Sequence, residues 1–218
     1  MTVNQHGTMV IGITGGIGCG KTTVSDIIKE LGFIIISTDE KAKEIMTKDF
    51  TVKNKILRAF GSESYNSDSS LNSHFISYMV FGKKEEHKKN LALLNSIVHP
   101  PVIDYMIEEV KKYEEMGEPL LFIESALIYE AELEEGFDYI IVVDSTEENA
   151  IQRVIQRTGM TKEDVILRMK PQIPLGEKRA LADFVIENNG TIEELKIAVK
   201  TLVNIVKNLK PKETNGEV

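Results

Sequence analysis

The chain is short of the features that stabilise secreted or membrane proteins. It has one cysteine, Cys19, among 218 residues. A single thiol cannot close an intramolecular disulfide and argues against a thiolate zinc site, so a reducing, cytoplasmic setting is expected. No apolar run approaches the roughly 18 residues needed to span a bilayer. Residues 1–7 are polar and lack the apolar stretch of a signal peptide. Positive charge is also in deficit, 26 Lys and Arg against 34 Asp and Glu, for a net charge of −8. Such a balance disfavours general binding to nucleic acid or to a membrane surface. It still allows a small polyanion, because a few local Lys and Arg can hold phosphates. Neither internal repeats nor low-complexity segments occur. Apolar residues at 42% and charged residues at 28% are close to the globular average, so a core can form. The length suits one domain or a core with inserted subdomains.

Short continuous apolar runs recur along the chain. Residues 9–14, 33–36, 120–123, 139–143 and 184–186 are β-branched or otherwise apolar throughout. Their length and composition predict buried strands. Between them lie helical spacings. Val24, Ile27, Ile28 and Leu31 form one stripe, with Gly32 as its stop. Ser37 or Thr38 can cap a helix running to about residue 46. Val102, Ile103, Met106 and Val110 mark a helix over 99–116, and residues 62–73 read as a loop. The stripe Ile192, Leu195, Val199, Leu202, Ile205, Val206 and Leu209 predicts a last helix docked on the core. Five strands alternating with helices predict an α/β fold: a five-stranded parallel sheet covered on both faces, with right-handed crossovers. The expected organisation is a nucleotide-binding core over 8–47, 119–146 and 183–209. A helical acceptor-binding insertion is expected over 48–118, a lid over 147–182 and a frayed tail over 210–218.

The most specific signal is Gly15-Gly16-Ile17-Gly18-Cys19-Gly20-Lys21-Thr22, a match to the phosphate-binding loop of P-loop proteins. Each part has a mechanical reason. The glycines let the backbone curl until several N–H groups point at a phosphate. The following helix adds the partial positive charge of its N-terminus. Lys21 reaches the β- and γ-phosphates, and the Thr22 hydroxyl binds Mg²⁺. A strand precedes the loop and a helix follows it, as the motif requires. The expected ligand is ATP with Mg²⁺, held by Gly16, Ile17, Gly18, Cys19, Gly20, Lys21, Thr22 and Thr23. Cys19 is either a reactive thiol at a helix N-terminus or a small residue that fits, and the second reading is preferred.

The loop alone does not separate switches, motors and kinases. A guanine-reading Asn-Lys-x-Asp is missing after the 139–143 strand, which ends in Asp144-Ser145-Thr146. The length fits a kinase of small molecules, and further segments sharpen this. Ser37-Thr38-Asp39, Leu94-Asn95-Ser96-Ile97-Val98-His99-Pro100 and Glu124-Ser125-Ala126-Leu127-Ile128-Tyr129-Glu130 come in that order. They are followed by Gln156-Arg157, by Gln172-Ile173-Pro174-Leu175-Gly176-Glu177-Lys178-Arg179, and by residues 182–190, Ala-Asp-Phe-Val-Ile-Glu-Asn-Asn-Gly. With the loop, this series resembles the dephospho-CoA kinase family over residues 9–209. Cys19 stands where that family more often has Ser, and Ser37 where it commonly has Asp. The resemblance implies transfer of the ATP γ-phosphate to the ribose 3′-hydroxyl of dephospho-CoA.

Roles can then be weighed. Asp39 follows the second strand, where it could orient the acceptor hydroxyl and take its proton, or simply favour a helix dipole; its match to the family favours the first. Glu124 ends the third strand and could hold Mg²⁺ through water, position the acceptor, or cap the next segment. Glu130 is a weaker candidate. For His99 a structural or substrate-binding role is preferred over that of a base. Arg153, Arg157, Arg168, Lys178 and Arg179 lie in the lid, where guanidinium forks could match phosphate charge. Arg157 is the first choice and Arg153, on the same helical face, the second. Asn188-Asn189-Gly190 is implied to touch adenine, although Asn and Gly also suit a plain turn. Lys83, Lys84, Lys88 and Lys89, interleaved with Glu85 and Glu86, read as a solvated face. The rivals are another small-molecule kinase and a regulatory module that binds ATP without turnover. The oligomeric state is not encoded in any pattern found.

Overall fold

A computed structural model describes residues 7–212. Its sheet has strands β1 (Met9–Gly15), β2 (Ile34–Ser37), β3 (Leu120–Glu124), β4 (Tyr139–Asp144) and β5 (Phe184–Glu187). The order is β2-β3-β1-β4-β5, and every pairing is parallel. The central strands are apolar up to Glu124 and Asp144 at the carboxyl ends of β3 and β4, because both faces are covered. On one face, α1 (Lys21–Glu30) and α9 (Ile192–Val206) bring Val24, Ile28, Val199 and Val203 onto Ile11, Ile13, Phe122 and Ile141. Each such side chain, fully buried, stabilises the fold by about 1.5–3 kcal/mol. The opposite side of β1 leaves no room at Gly12, where a Cβ would stand 2.7 Å from Ile128 Cδ1. The capping box of Thr191 and Glu194 starts α9, satisfying two otherwise orphaned backbone donors.

The chain then leaves β1 between β3 and β4, its neighbours on either side. This is the switch point of a doubly wound sheet, where the carboxyl ends of strands open a crevice for ligands. Between β4 and β5 lie α6 (Glu147–Thr158), α7 (Lys162–Met169) and α8 (Leu175–Leu181). Among the described residues, no helix is long and apolar enough to cross a membrane.

A second compact unit spans Thr38–Met106. It holds α2 (Thr38–Lys48), α3 (Phe50–Phe60), α4 (Ser73–Val80) and most of α5 (Glu85–Glu115). Its boundary lies ten residues earlier than the expected start at 48, because Ile45 of α2 is buried with Ile56, Ile76 and Ile97. Asp49 and Asn72 cap α3 and α4 by accepting from the N–H groups of Val52 and Phe75. The expected loop over 62–73 contains a 3-10 turn at Ser62–Ser64, and α4 begins at Ser73.

The larger departure concerns α5. His99 was expected at a helix start, yet the helix runs unbroken through Pro100 and Pro101. A proline withholds the N–H that would bond the carbonyl four residues back, so Ser96 and Ile97 lose that partner. Buried Leu94, Ile97 and Val98 before the prolines, and Met106 and Val110 after them, hold the helix by packing. In the expected tail, Lys212 pairs with Asp183 and its N–H donates to Asp138 Oδ1. Residues 213–218 lie outside the described part of the chain.

Candidate active site

The loop joining β1 to α1 is held by its neighbours. Gly18 and Gly20 have φ of 81° and 94°, a region that favours glycine. A Cβ on Gly18 would stand 2.3 Å from the Ala150 carbonyl of α6, and one on Gly20 2.2 Å from Asn188 Nδ2. Both glycines therefore serve close approach as well as curvature. Asn188 Nδ2 donates to the Cys19 carbonyl at 2.8 Å. The Asn188 carbonyl accepts from Arg153 at 2.7 Å, and Arg153 also donates to Ser145 Oγ. Asn189 Oδ1 accepts the Thr146 N–H at the start of α6. The segment expected to touch adenine thus braces the loop.

Lys21 is buried. Its Nζ donates to the Gly15 and Gly16 carbonyls at 3.1 and 3.2 Å, which curls it across the loop mouth. Thr22 Oγ1 donates to Glu124 Oε1 at 3.0 Å, while Thr23 is exposed. These two residues are 102 positions apart; the parallel pairing of β1 with β3 unites them. Burial pushes the Cys19 thiol up, against the opposing pull of Lys21. Cys19 is therefore a neutral packing residue rather than a thiolate.

A cavity of about 530 Å³ adjoins the loop, lined by Gly16, Cys19, Ser145, Glu147, Gln172 and Ile173 among others. The segment between α7 and α8 reaches the loop directly, since Gln172 Oε1 accepts the Ile17 N–H at 3.0 Å. The contact of Gln172 with the loop is not written in the sequence, because it joins residues 155 positions apart. The place of Gln172 beside Ile173 and Pro174 was the only signal.

The basic residues between β4 and β5 divide. Lys178 is fully buried and pairs with Glu130 at 2.6 Å. Arg179 joins Asp144 of β4 to Glu187 of β5. Both are spent on holding elements together. Arg157 is exposed in the last turn of α6, one turn beyond Arg153. In the helical unit, Asp39 sits in the first turn of α2 and is half-buried. His99 has a buried Nε2 without a hydrogen-bond partner, and burial lowers its pKa. Lys83, Lys84, Lys88 and Lys89 are exposed, with Lys88 paired to Glu85.

A loop of this build can hold a polyphosphate, and the Thr22–Glu124 pair offers hard oxygen donors beside it. Comparison with known proteins agrees. The family model described as dephospho-CoA kinase matches residues 9–194. A dephospho-CoA kinase of Listeria monocytogenes is 36% identical over 199 residues, 91% of this chain and 98% of its own. A solved protein from Thermus thermophilus superposes with a TM-score of 0.74 at 30% identity, covering 91% of this chain and 98% of that one. The dephospho-CoA kinase from Campylobacter jejuni shares the fold, with a TM-score of 0.59 at 22% identity over 91% and 97% of the two chains. By its phosphate loop, its sheet order and these similarities, the chain belongs to the dephospho-CoA kinase family.

Proposed function

We propose that this protein transfers the γ-phosphate of ATP to the ribose 3′-hydroxyl of dephospho-CoA, giving coenzyme A and ADP in the cytoplasm. The observation that carries the reading is the loop itself. A buried Lys21 lies across its mouth, and Thr22 is bonded to Glu124, in a chain of this family. In the reaction the acceptor oxygen forms a bond to the γ-phosphorus as the bond to the β-phosphate oxygen breaks. The hydroxyl proton passes to Asp39, the acceptor-side carboxylate. Lys21 and the loop N–H groups hold the β- and γ-phosphates. Arg157, with Arg153 second, neutralises the charge that spreads over the transferring group. Asn188 keeps the loop in its curled form, and His99 and Glu124 bind on the acceptor side.

The donors present suit Mg²⁺. Thr22 and Glu124 supply one hydroxyl and one buried carboxylate, 3.0 Å apart; Mg²⁺ is held by few protein oxygens and keeps several waters. Bound there, it would supply charge neutralisation at the β- and γ-oxygens.

The test is ATP-dependent phosphorylation of dephospho-CoA, followed by ADP release and product mass. The expected product is one phosphate heavier and carries it at the 3′ position. Folded protein that binds ATP and yields no product would sink the acceptor assignment. A screen of nucleosides and small alcohols would then identify another acceptor, or show binding without turnover.

A further inference from the structure

Gln172 has no role in the reading above, yet it touches the loop at a telling place. Its Oε1 accepts the Ile17 N–H at 3.0 Å. A backbone N–H is only a donor, so the side-chain atom facing it must be the carbonyl oxygen. That fixes the amide's orientation and turns Nε2, with its two N–H donors, away from Ile17. Gln172 and Gly16 line the same cavity.

The segment bearing Gln172 is anchored rather than loose. The next residue, Ile173, donates its N–H to Glu130 Oε1 at 3.2 Å. The same oxygen takes the Lys178 ammonium at 2.6 Å, and Lys178 also donates to the Ala126 carbonyl. Lys178 has no exposed surface. A buried ion pair therefore pins the chain on both sides of Pro174. The position along the loop can also be read. Lys21 Nζ lies against the Gly15 and Gly16 carbonyls, and a P-loop lysine serves the β- and γ-phosphates. Ile17 follows directly, so Gln172 meets the loop beside the stretch that this lysine spans.

We propose that Gln172 is a further catalytic residue, donating from Nε2 to the terminal phosphate of ATP while Oε1 stays on Ile17. Pre-oriented donors of this kind act on charge that develops during transfer, without reorganising. The inference rests on the loop being an ATP site, so wild-type binding of ADP and of a non-hydrolysable ATP analogue is measured first. Loss of both would defeat that reading itself.

Given wild-type binding, Gln172→Met removes both halves of the amide at similar volume. The expected result is an unchanged melting temperature and ADP affinity within about threefold of wild type. The ATP analogue should bind about tenfold more weakly and kcat fall by about 100–1,000-fold, the range for removing one such donor. Gln172→Glu keeps an acceptor for Ile17 but loses the donors, and should not restore kcat. A kcat within threefold of wild type in Gln172→Met would overturn the proposal. So would equal losses for ADP and the ATP analogue, or rescue by Gln172→Glu; either would leave Gln172 as a strap that only shapes the loop.

Discussion

Lys21 and Thr22 are adjacent in sequence but do different work. Lys21 bonds two loop carbonyls in the structure. Lys21→Met should lower kcat by about 100-fold or more, as loss of one transition-state contact does. Circular dichroism and thermal melting should remain close to wild type, and collapse of the fold would undercut the assignment. Glu124→Gln keeps the size of the side chain that Thr22 touches but removes its charge. A weaker hold on Mg²⁺ should raise the Mg²⁺ concentration needed for half-maximal rate by about tenfold, since hard cations prefer charged oxygens. Titration of rate against Mg²⁺ checks this. An unchanged curve with lower affinity for dephospho-CoA would leave Glu124 as an acceptor contact alone, without a part in holding Mg²⁺. At this scale the loop was legible in the sequence because its residues are contiguous. The division among the basic residues was not. Arg153 braces Asn188, Lys178 neutralises Glu130 and Arg179 ties β4 to β5, yet spacing gives all three the same appearance.

Elements meet the loop through glycines and through one buried pair. Gly20→Ala would place a Cβ 2.2 Å from Asn188 Nδ2 at a φ of 94°. We expect destabilisation of about 1–3 kcal/mol from the backbone strain, seen in urea melts, together with weakened ATP binding. Glu130→Gln would leave the Lys178 ammonium buried without its counter-charge. Breaking such a pair costs about 3–5 kcal/mol. The double variant Glu130→Gln with Lys178→Met should recover most of that loss in the same melts; a failure to recover would mean that Lys178 is held chiefly by other groups. The strands were readable because burial on both faces makes them continuously apolar. The 31-residue α5 was not. Pro100 and Pro101 read locally as a helix boundary, and only the packing of Ile97 and Val98 with the rest of their unit overrides that preference.

Across the whole molecule, stability should depend on pH through His99. Burial lowers its pKa, so the unfolded chain binds the proton more readily than the folded one. The sign follows: the contribution is fully present above the usual imidazole value near 6.5 and is lost as pH falls through the lower, folded value. Melting temperatures between pH 8 and pH 5 should therefore fall more steeply in wild type than in His99→Gln. Parallel curves would show that His99 does not carry this part of the acid sensitivity.

The sequence by itself determined the phosphate loop, the five strands and the family pattern, because each is written in contiguous residues or in local periodicity. Tertiary structure decided the partners. Thr22 meets Glu124, Ile17 meets Gln172, and Asn188 meets Cys19, across 102, 155 and 169 residues. Those pairs depend on which strands lie side by side, and the order β2-β3-β1-β4-β5 is set by the packing of whole helices and sheet faces rather than by any short run of residues.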